Sequence, residues 1–299
     1  MEVLESAIRL STPLLFAALG GVLSERVGIV NIALEGMLLA GAFAAMAAMN
    51  ATGNPWLGIL AAATVGAALG LLHTFLVLRL RVDAIISGIG LNLLAVGLTT
   101  FLLRSLYSGG VGVQVHGPAP WFPTLHNVPL LGTAVGAGTP FVPLALLAIA
   151  GIWFITYLTR PGLQLRAIGE APRAARAAGV NVDLTRTLWL TVAGALTGVG
   201  GAYLSLEAAG RFTENLSAGR GYLALAAVIF GRWHPIGAAI AVLLFGLGEA
   251  AEIKLQGTML FGGPIPSELL SALPYVLGLL ALAGALGRTV PPAGIGQYD

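Results

Sequence analysis

The sequence predicts an all-α, polytopic membrane protein that enters the bilayer through about eight to ten transmembrane or partial helices. Two features of the composition indicate this fold class: 57% of the 299 residues are hydrophobic and 9% are charged, whereas about a quarter of the residues in soluble domains are charged. The third feature is the arrangement of the apolar residues in long segments separated by short polar connections. No linker divides the chain, so we expect a single transmembrane domain over residues 1–299.

The first apolar segment, Ile8 to Leu23, is interrupted by Pro13 and the Gly20-Gly21 pair and is short for a span, which needs about 20 residues. The later segments are long enough, or nearly so, to cross. They are Gly28–Met49, Pro55–Leu80, Ala84–Leu106, Pro140–Leu158, Leu188–Leu206, Ile236–Ile253 and Leu269–Leu286. The stretch from Gly221 to Gly231 would extend about 16 Å as a helix, so we expect a partial helix there.

The charges assign the connections to the two sides of the membrane. The 107–139 connection contains no acidic residue, lysine or arginine, whereas Arg79 and Arg81 flank one turn and five arginines lie in the 159–187 connection. Because Arg and Lys accumulate in cytoplasmic loops, we expect 107–139 to be external. The 79–81 turn and the 159–187 connection are expected to be cytoplasmic.

A short helix is predicted inside the 159–187 connection. Ala171, Ala174, Ala175 and Ala178 fall at i, i+3, i+4 and i+7 and so share one narrow helical face, while Arg173 and Arg176 lie on another. Pro172 suits the first turn and Gly179 suits the position just past the end. Such a helix of about 8–9 residues, roughly 13 Å long, is marginal alone in water. We therefore expect it to dock into a groove of a partner.

Two stretches resemble a known family. Residues 166–182, RAIGEAPRAARAAGVNV, look like the cytoplasmic coupling segment of permease subunits of bacterial ABC importers for branched-chain amino acids, simple sugars and nucleosides. Residues 24–43, SERVGIVNIALEGMLLAGAF, resemble the signature of the nucleoside and simple-sugar branch. The resemblance implies that the short helix is a coupling helix docked in a cleft of the ATP-hydrolysing subunit. Its implied contact set is Glu170, Ala171, Pro172, Arg173, Ala174, Ala175, Arg176, Ala178 and Gly179.

The resemblance also implies the assembly. We expect an ABC ATPase subunit that binds ATP and Mg, a second permease subunit that is a longer paralogue or a second copy of this chain, and an extracytoplasmic substrate-binding protein. The expected location is the bacterial inner membrane, in contact with lipid. No cofactor is expected in this chain.

The sequence lacks the common catalytic and metal-binding motifs. It contains no P-loop, no H-E-x-x-H and no G-x-S-x-G, it has no cysteine, and its four histidines, His73, His116, His126 and His234, are scattered. We therefore expect neither enzymatic activity nor a metal site. Nucleic-acid binding is not expected either, because no basic patch with interleaved aromatic residues is present.

Three of the polar residues in predicted spans are candidates for the transport pathway, because polar residues are costly there and are often functional. Asn31 and Glu35, at i and i+4, would share one helical face, and Asn92 lies in the middle of its segment. Glu35 either faces or braces the transport pathway, or it hydrogen-bonds a neighbouring helix. Asn92 could bind a sugar hydroxyl or a base edge, and helix-to-helix bonding explains it equally well.

Glycine spacing predicts close helix packing at two places. Gly66 and Gly70 form one G-x-x-x-G pattern, and Gly194 and Gly198 form another. In a chain with 42 glycines, this pattern also arises by chance.

The first hypothesis for function is an ABC importer permease for nucleosides, with ribose or another simple sugar as the alternative substrate. A second hypothesis is an ion-coupled secondary transporter, in which Glu35 would titrate or bind Na⁺. In that case the short cytoplasmic helix would have no role. An intramembrane enzyme is disfavoured because the sequence offers no nucleophile with its base and no set of metal ligands.

Overall fold

The computed structural model describes residues 2–107, 112–120, 140–256, 259–260, 263–264, 272, 276 and 290–298. The described part of the chain is mostly helical, with irregular connections and one short pair of strands, β1 (Met259–Leu260) and β2 (Gly263–Pro264). Its helices are α1 (Glu2–Arg26), α2 (Leu34–Thr52), α3 (Pro55–Thr74), α4 (Ala84–Leu106), α5 (Phe141–Leu158), α6 (Arg160–Glu170), α7 (Pro172–Ala177), α8 (Val182–Tyr203), α9 (Arg220–Phe230) and α10 (Pro235–Leu255). Helices α3 and α8 each continue into a π-helical turn, Phe75–Arg79 and Leu204–Ala208.

The prediction of an all-α polytopic membrane protein is confirmed. Within the described ranges, seven helices are long and apolar enough to cross a membrane: α1 to α5, α8 and α10, with α3 and α8 counted together with their π-helical turns. Helix α9 has 11 residues and confirms the partial helix expected between Gly221 and Gly231. The predicted span Leu269–Leu286 lies almost wholly outside the described residues.

The expectation that the first span is short and interrupted is wrong. Helix α1 runs unbroken for 25 residues from Glu2 to Arg26 and passes through Pro13. Proline is tolerated inside transmembrane helices when neighbouring groups compensate for the hydrogen bond it cannot donate. Around this position Ser11 Oγ donates to the carbonyl of Val242 at 3.3 Å, which ties α1 to α10.

Both arginine-rich segments lie on one face of the protein, as predicted. A Cβ placed on Gly169 of α6 would lie 2.0 Å from the carbonyl oxygen of Arg26, so α1 ends against α6. Arg79 lines a groove together with Asp183 and Thr187 at the start of α8. Because α1 is about 37 Å long at 1.5 Å per residue, its first residues lie at the opposite face. We call the arginine-rich face the coupling face.

The two G-x-x-x-G patterns pack against each other. A Cβ on Gly66 would lie 2.1 Å from the carbonyl oxygen of Gly194, and one on Gly194 would lie 2.2 Å from the carbonyl oxygen of Gly66. Further along, Gly70 faces Leu190 and Gly198 faces Ala62, so α3 and α8 run antiparallel with their backbones in contact. The glycines therefore allow α8 to lie at the centre of the bundle.

Gly66→Ala is expected to destabilise the protein by about 1–3 kcal/mol or more, because the new methyl group overpacks a contact between two backbones. The control is Gly97→Ala on α4, where a Cβ would meet nothing within 4 Å and alanine is the better helix former. The measurement is the unfolding temperature of each detergent-solubilised variant. Equal unfolding temperatures for the two variants would contradict the α3–α8 packing.

Candidate functional site

A break in the helical chain lies between α1 and α2. Residues 27–33 are not helical, and Gly28 has a φ of 91°, a conformation that side chains disfavour. The expectation that Asn31 and Glu35 share a helical face is therefore wrong, since Asn31 lies in the break and Glu35 lies in the first turn of α2. Both side chains are nonetheless buried, with 0% and 5% exposure.

Side chains from three helices satisfy the backbone of the break. Nε2 of His73 on α3 lies 3.1 Å from the carbonyl oxygen of Val30, Nδ2 of Asn92 on α4 donates to Ile32 at 3.0 Å, and Nε of Arg186 on α8 donates to Val27 at 3.2 Å. Buried backbone outside regular helices is tolerated only where such partners exist. The break is therefore stabilised by specific hydrogen bonds from α3, α4 and α8.

Glu35 binds the start of the partial helix α9. Its carboxylate accepts hydrogen bonds from Ser217 Oγ at 2.6 Å, from the backbone of Gly219 at 2.8 Å and from the backbone of Gly221 at 2.6 Å. A carboxylate is favourable at a helix N-terminus, where free N–H groups and the helix dipole are positive. These contacts match the interpretation in which Glu35 hydrogen-bonds a neighbouring helix. A role in a transport pathway stays a prediction.

Asn92 joins the same site from α4. Its Oδ1 accepts from the backbone of Gly36 at 2.8 Å, and its Nδ2 donates to Tyr222 Oη at 3.1 Å as well as to Ile32. The amide thus links the break, α2 and α9. Asn31 can accept a further hydrogen bond, because its buried Oδ1 has no hydrogen-bond partner among the described residues.

The other end of α9 is held by the end of α1. Arg232 and Trp233, in the turn between α9 and α10, both have left-handed backbones with φ near 54° and 53°, which costs on the order of 1–3 kcal/mol per residue. Arg26 Nε donates to the Trp233 carbonyl at 2.7 Å, and the Trp233 indole donates to Glu25. Helix α9 is therefore fixed at both ends by residues that flank the break.

His234 follows this turn and caps α10. Its Nδ1 accepts from the backbone of Ile236 at 3.2 Å, and its ring lies 5.0 Å from the Tyr157 ring. Burial, and then the charge of Arg26, lowers the pKa of His234 below its ordinary value. The ring is therefore neutral at pH 7, as a hydrogen-bond acceptor at the start of a helix requires.

The 159–187 connection contains two helices, α6 and α7, before α8 begins; we call α6 and α7 with the residues that flank them the coupling segment. The single helix predicted there corresponds to α7, which has six residues rather than about 8–9. Helix α6 was not predicted. Pro172 begins α7 and Gly179, with a φ of 87°, follows its end, as predicted. Ala171 and Ala178 flank α7 as its caps.

The alanine face of α7 is divided. Ala175 is 5% exposed and packs in the core with Leu165 and Ile168 of α6, whereas Ala171, Ala174 and Ala178 are exposed. The expectation that all four alanines form one docking face is therefore wrong for Ala175, because this helix must pack against its own chain to be stable. Whether the exposed alanines contact an ATPase stays a prediction.

Sequence reasoning missed several residues that build the break. Ser217, Arg186, Glu25 and Trp233 were not singled out, and the only signal in the sequence is that they are polar or amphipathic groups beside apolar segments. In the described part of the chain, no three metal-ligating side chains come together. His73 binds Ser87 Oγ at 2.8 Å in addition to the break, so its position is explained by hydrogen bonding.

A comparison with protein families decides the identity of the chain. Residues 3–282 match the family described as the permease component of branched-chain amino acid transport systems. The chain belongs to this permease family. The seven helices long and apolar enough to cross a membrane in the described part of the chain agree with that assignment, and this permease is a multi-pass membrane protein.

Among characterised relatives, the permease is 39% identical to the nucleoside ABC transporter permease protein NupC of Lactococcus lactis over 94% of this chain and 91% of the relative. It is 37% identical to the guanosine ABC transporter permease protein NupQ of Bacillus subtilis, with the same coverage of both chains. The putative glucose ABC transporter permease protein TsgC13 of Haloferax volcanii is 34% identical over 99% of this chain and 97% of the relative.

Glu35→Gln is expected to lower stability by about 1–3 kcal/mol, because the amide NH₂ would face backbone donors of α9 that need an acceptor. We expect a lower unfolding temperature and weaker transport, with no ion dependence gained or lost. Ser217→Ala is the matched control that removes one donor and leaves the carboxylate, and it should have a smaller effect. A Glu35→Gln variant as stable as wild type would contradict the capping role, and a wild-type protein that requires Na⁺ or a proton gradient would favour the ion-coupled transporter.

His234→Asn is expected to reduce the loss of stability at acidic pH. The folded pKa of His234 lies below its unfolded value of about 6.5, so its contribution is complete above that value and declines as the pH falls below it, when the unfolded chain takes up the proton first. Asparagine keeps a capping oxygen and does not titrate. The measurement is the difference in unfolding temperature between pH 7.5 and pH 5.5, which should shrink in the variant; an unchanged difference would contradict a lowered pKa.

Proposed function

We propose that this permease is the membrane-spanning subunit of an ATP-driven ABC importer for nucleosides. The observation that carries the proposal is the similarity, at 39% and 37% identity over 94% of the chain, to permease proteins named for nucleosides and for guanosine. A simple sugar is the second candidate substrate, because a relative named as a putative glucose permease protein is 34% identical.

The proposed assembly follows from the family. An ABC ATPase subunit binds ATP and Mg, so this chain needs no cofactor and performs no hydrolysis itself. A second permease subunit, either a longer paralogue or a second copy of this chain, completes the pathway, and an extracytoplasmic binding protein delivers the substrate. The assembly lies in the bacterial inner membrane with the coupling face toward the cytoplasm, in agreement with the positive-inside rule.

The ATPase docks on the coupling segment. Three small side chains, Ala171, Ala174 and Ala178, are exposed there and leave room for a close approach of the partner. Helix α6 packs closely on the end of α5, because a Cβ on Gly162 would lie 2.0 Å from the carbonyl oxygen of Ile155, and Ala175 of α7 packs with Leu165 and Ile168 of α6. Movement of the docked ATPase would therefore displace α6 and α7 together.

An ion-coupled secondary transporter is less well supported. Its candidate ion-binding carboxylate, Glu35, already accepts three hydrogen bonds from the start of α9, so its oxygens are occupied by structural donors. The coupling segment would have no role in such a transporter.

The test is purification of the tagged permease from its own membranes in mild detergent, followed by an ATPase assay with its binding protein and with guanosine, ribose or glucose. Co-purification of an ATPase whose activity rises with guanosine is expected. Stimulation by a sugar alone would favour the second candidate substrate. A chain that purifies alone and transports under an ion gradient would overturn the proposal.

Ala174→Trp is expected to abolish substrate-stimulated ATP hydrolysis while leaving membrane insertion intact, because an indole cannot enter a groove shaped for a methyl group. Ala51→Trp is the matched control, since Ala51 is also an exposed alanine but lies at the end of α2 away from the coupling face. Ala175→Trp is unsuitable, because Ala175 is buried in this chain. Unchanged stimulation in the Ala174 variant would refute docking on α7.

A further inference from the structure

The segment Val290–Tyr298 lies against the end of α6. Its Gly294 donates a backbone hydrogen bond to the carbonyl oxygen of Gly169 at 2.7 Å, and its Ala293 donates to the Glu170 carboxylate at 3.4 Å. A Cβ on Gly294 would lie 2.8 Å from both the Gly169 carbonyl oxygen and Pro172 Cδ. The segment thus touches the residues that join α6 to α7.

The same segment also contacts the break between α1 and α2. Gly296 donates to the carbonyl oxygen of Gly28 at 3.2 Å, and Tyr298 packs against the same hydrophobic cluster as Val30. A Cβ on Gly28 would lie 3.0 Å from the carbonyl oxygen of Gly294. A stretch of a few residues therefore spans from the coupling segment to the break.

Arg186 fastens the segment to the bundle. Its side chain is fully buried; its Nε donates to the Val27 carbonyl at 3.2 Å and its Nη2 donates to the Gln297 carbonyl at 2.8 Å. Its guanidinium carbon lies 5.6 Å from the centre of the Tyr298 ring, within the range of a cation–π contact. Burying a cation costs free energy unless its hydrogen bonds are satisfied. The Arg186 side chain therefore favours this one arrangement of carbonyl oxygens and ring.

Two rigid attachments therefore lie at the two sides of one short segment. On one side are the backbone of Gly169 and the carboxylate of Glu170, which move with α6 and α7. On the other side are Gly28 and Val30 of the break. The Val30 carbonyl contacts His73 of α3, and the nearby Ile32 carbonyl accepts from Asn92, which links α4 and, through Tyr222, α9. Coupling between sites is carried by such contiguous packed and hydrogen-bonded elements.

We propose that Val290–Tyr298 is a coupling strap, and that Tyr298 and Arg186 are positioning residues that transmit displacement of α6 and α7 to the break between α1 and α2. The inference rests on the proposed function, because it requires an ATPase docked on the coupling segment. Loss of the Tyr298 ring leaves the ATPase dock intact but removes the ring contact with Arg186 and the packing beside Val30, while the backbone hydrogen bonds of Gly296 and Gln297 remain. Hydrolysis then continues, and displacement of α6 and α7 reaches the break less effectively.

The experiment compares Tyr298→Ala with wild type in the complete transporter reconstituted in liposomes. The readouts are the amount of co-purified ATPase, basal and substrate-stimulated hydrolysis, and substrate transported per ATP hydrolysed. We expect normal co-purification and a loss of about fivefold or more in transport per ATP, the lower end of typical coupling factors. Tyr298→Phe, which keeps the ring over Arg186, should retain most of the wild-type transport per ATP.

Gln297→Ala is the matched control. The Gln297 side chain bonds only its neighbour Ala293 among the described contacts, at 3.0 Å, while its backbone carbonyl remains available to Arg186. This variant should couple as wild type does. If Tyr298→Ala proves poorly folded, Arg186→Lys, which keeps the charge and loses the second hydrogen bond, takes its place with the same readouts.

The outcomes separate the two proposals. If substrate stimulates ATP hydrolysis by the wild-type transporter, and Tyr298→Ala transports as much substrate per ATP as wild type does, the strap proposal is overturned and the proposed function stands. Equal losses in Tyr298→Ala, Tyr298→Phe and Gln297→Ala would also overturn it, because the effect would then not depend on the ring. A wild-type chain without an ATPase partner would overturn both proposals.

Discussion

The chain between α1 and α2 leaves the helical conformation inside a bundle where water is scarce, and every peptide group exposed by that break needs a partner. His73, Asn92 and Arg186 provide hydrogen bonds to the carbonyl oxygens of Val30, Ile32 and Val27. This requirement fixes where α3, α4 and α8 can lie relative to α1 and α2. The cost of burying an unpaired peptide group is thus the constraint on which the arrangement of the bundle depends.

Helix α9 extends the same network. Glu35 and Asn92 hold its first turn close to the break, and Arg26 and Glu25 hold the left-handed turn that follows its last residue. The first turn of a partial helix has free N–H groups, and a carboxylate is an effective acceptor for them. The break and the partial helix are therefore one polar unit whose parts stabilise each other.

Sequence reasoning predicted most of the elements and part of the site. Apolar segments longer than about 17 residues located the spans, and the proline, alanine and glycine spacing located α7. Close packing at the two G-x-x-x-G patterns was one of two open interpretations, and chance occurrence was the other. The pairing of Gly66 with Gly194 was not predicted, because spacing does not say which helix a small residue faces. The continuous α1 was missed, since Pro13 is a helix breaker in isolation and only its neighbours in the bundle make it harmless.

The polar residues were the hardest to interpret. Asn31 and Glu35 are spaced as on a helix, yet Gly28 and the residues after it turn the chain before α2 begins. The partners of the break lie 43, 60 and 159 positions away in the chain, so no local pattern points to them. The burial of Ala175 has the same origin, because the packing of α7 on α6 is a tertiary contact.

The sequence by itself determined that this protein is an α-helical membrane protein, that its two arginine-rich segments share one face, and to which family of permeases it is similar. These properties depend on the transfer of side chains from water to lipid and on short motifs, and both are local. Only the tertiary structure decided that the chain breaks before α2, that Glu35 caps α9, and that Val290–Tyr298 joins the coupling segment to the break. Those features depend on which buried donor meets which acceptor, and that is settled only when distant segments pack together.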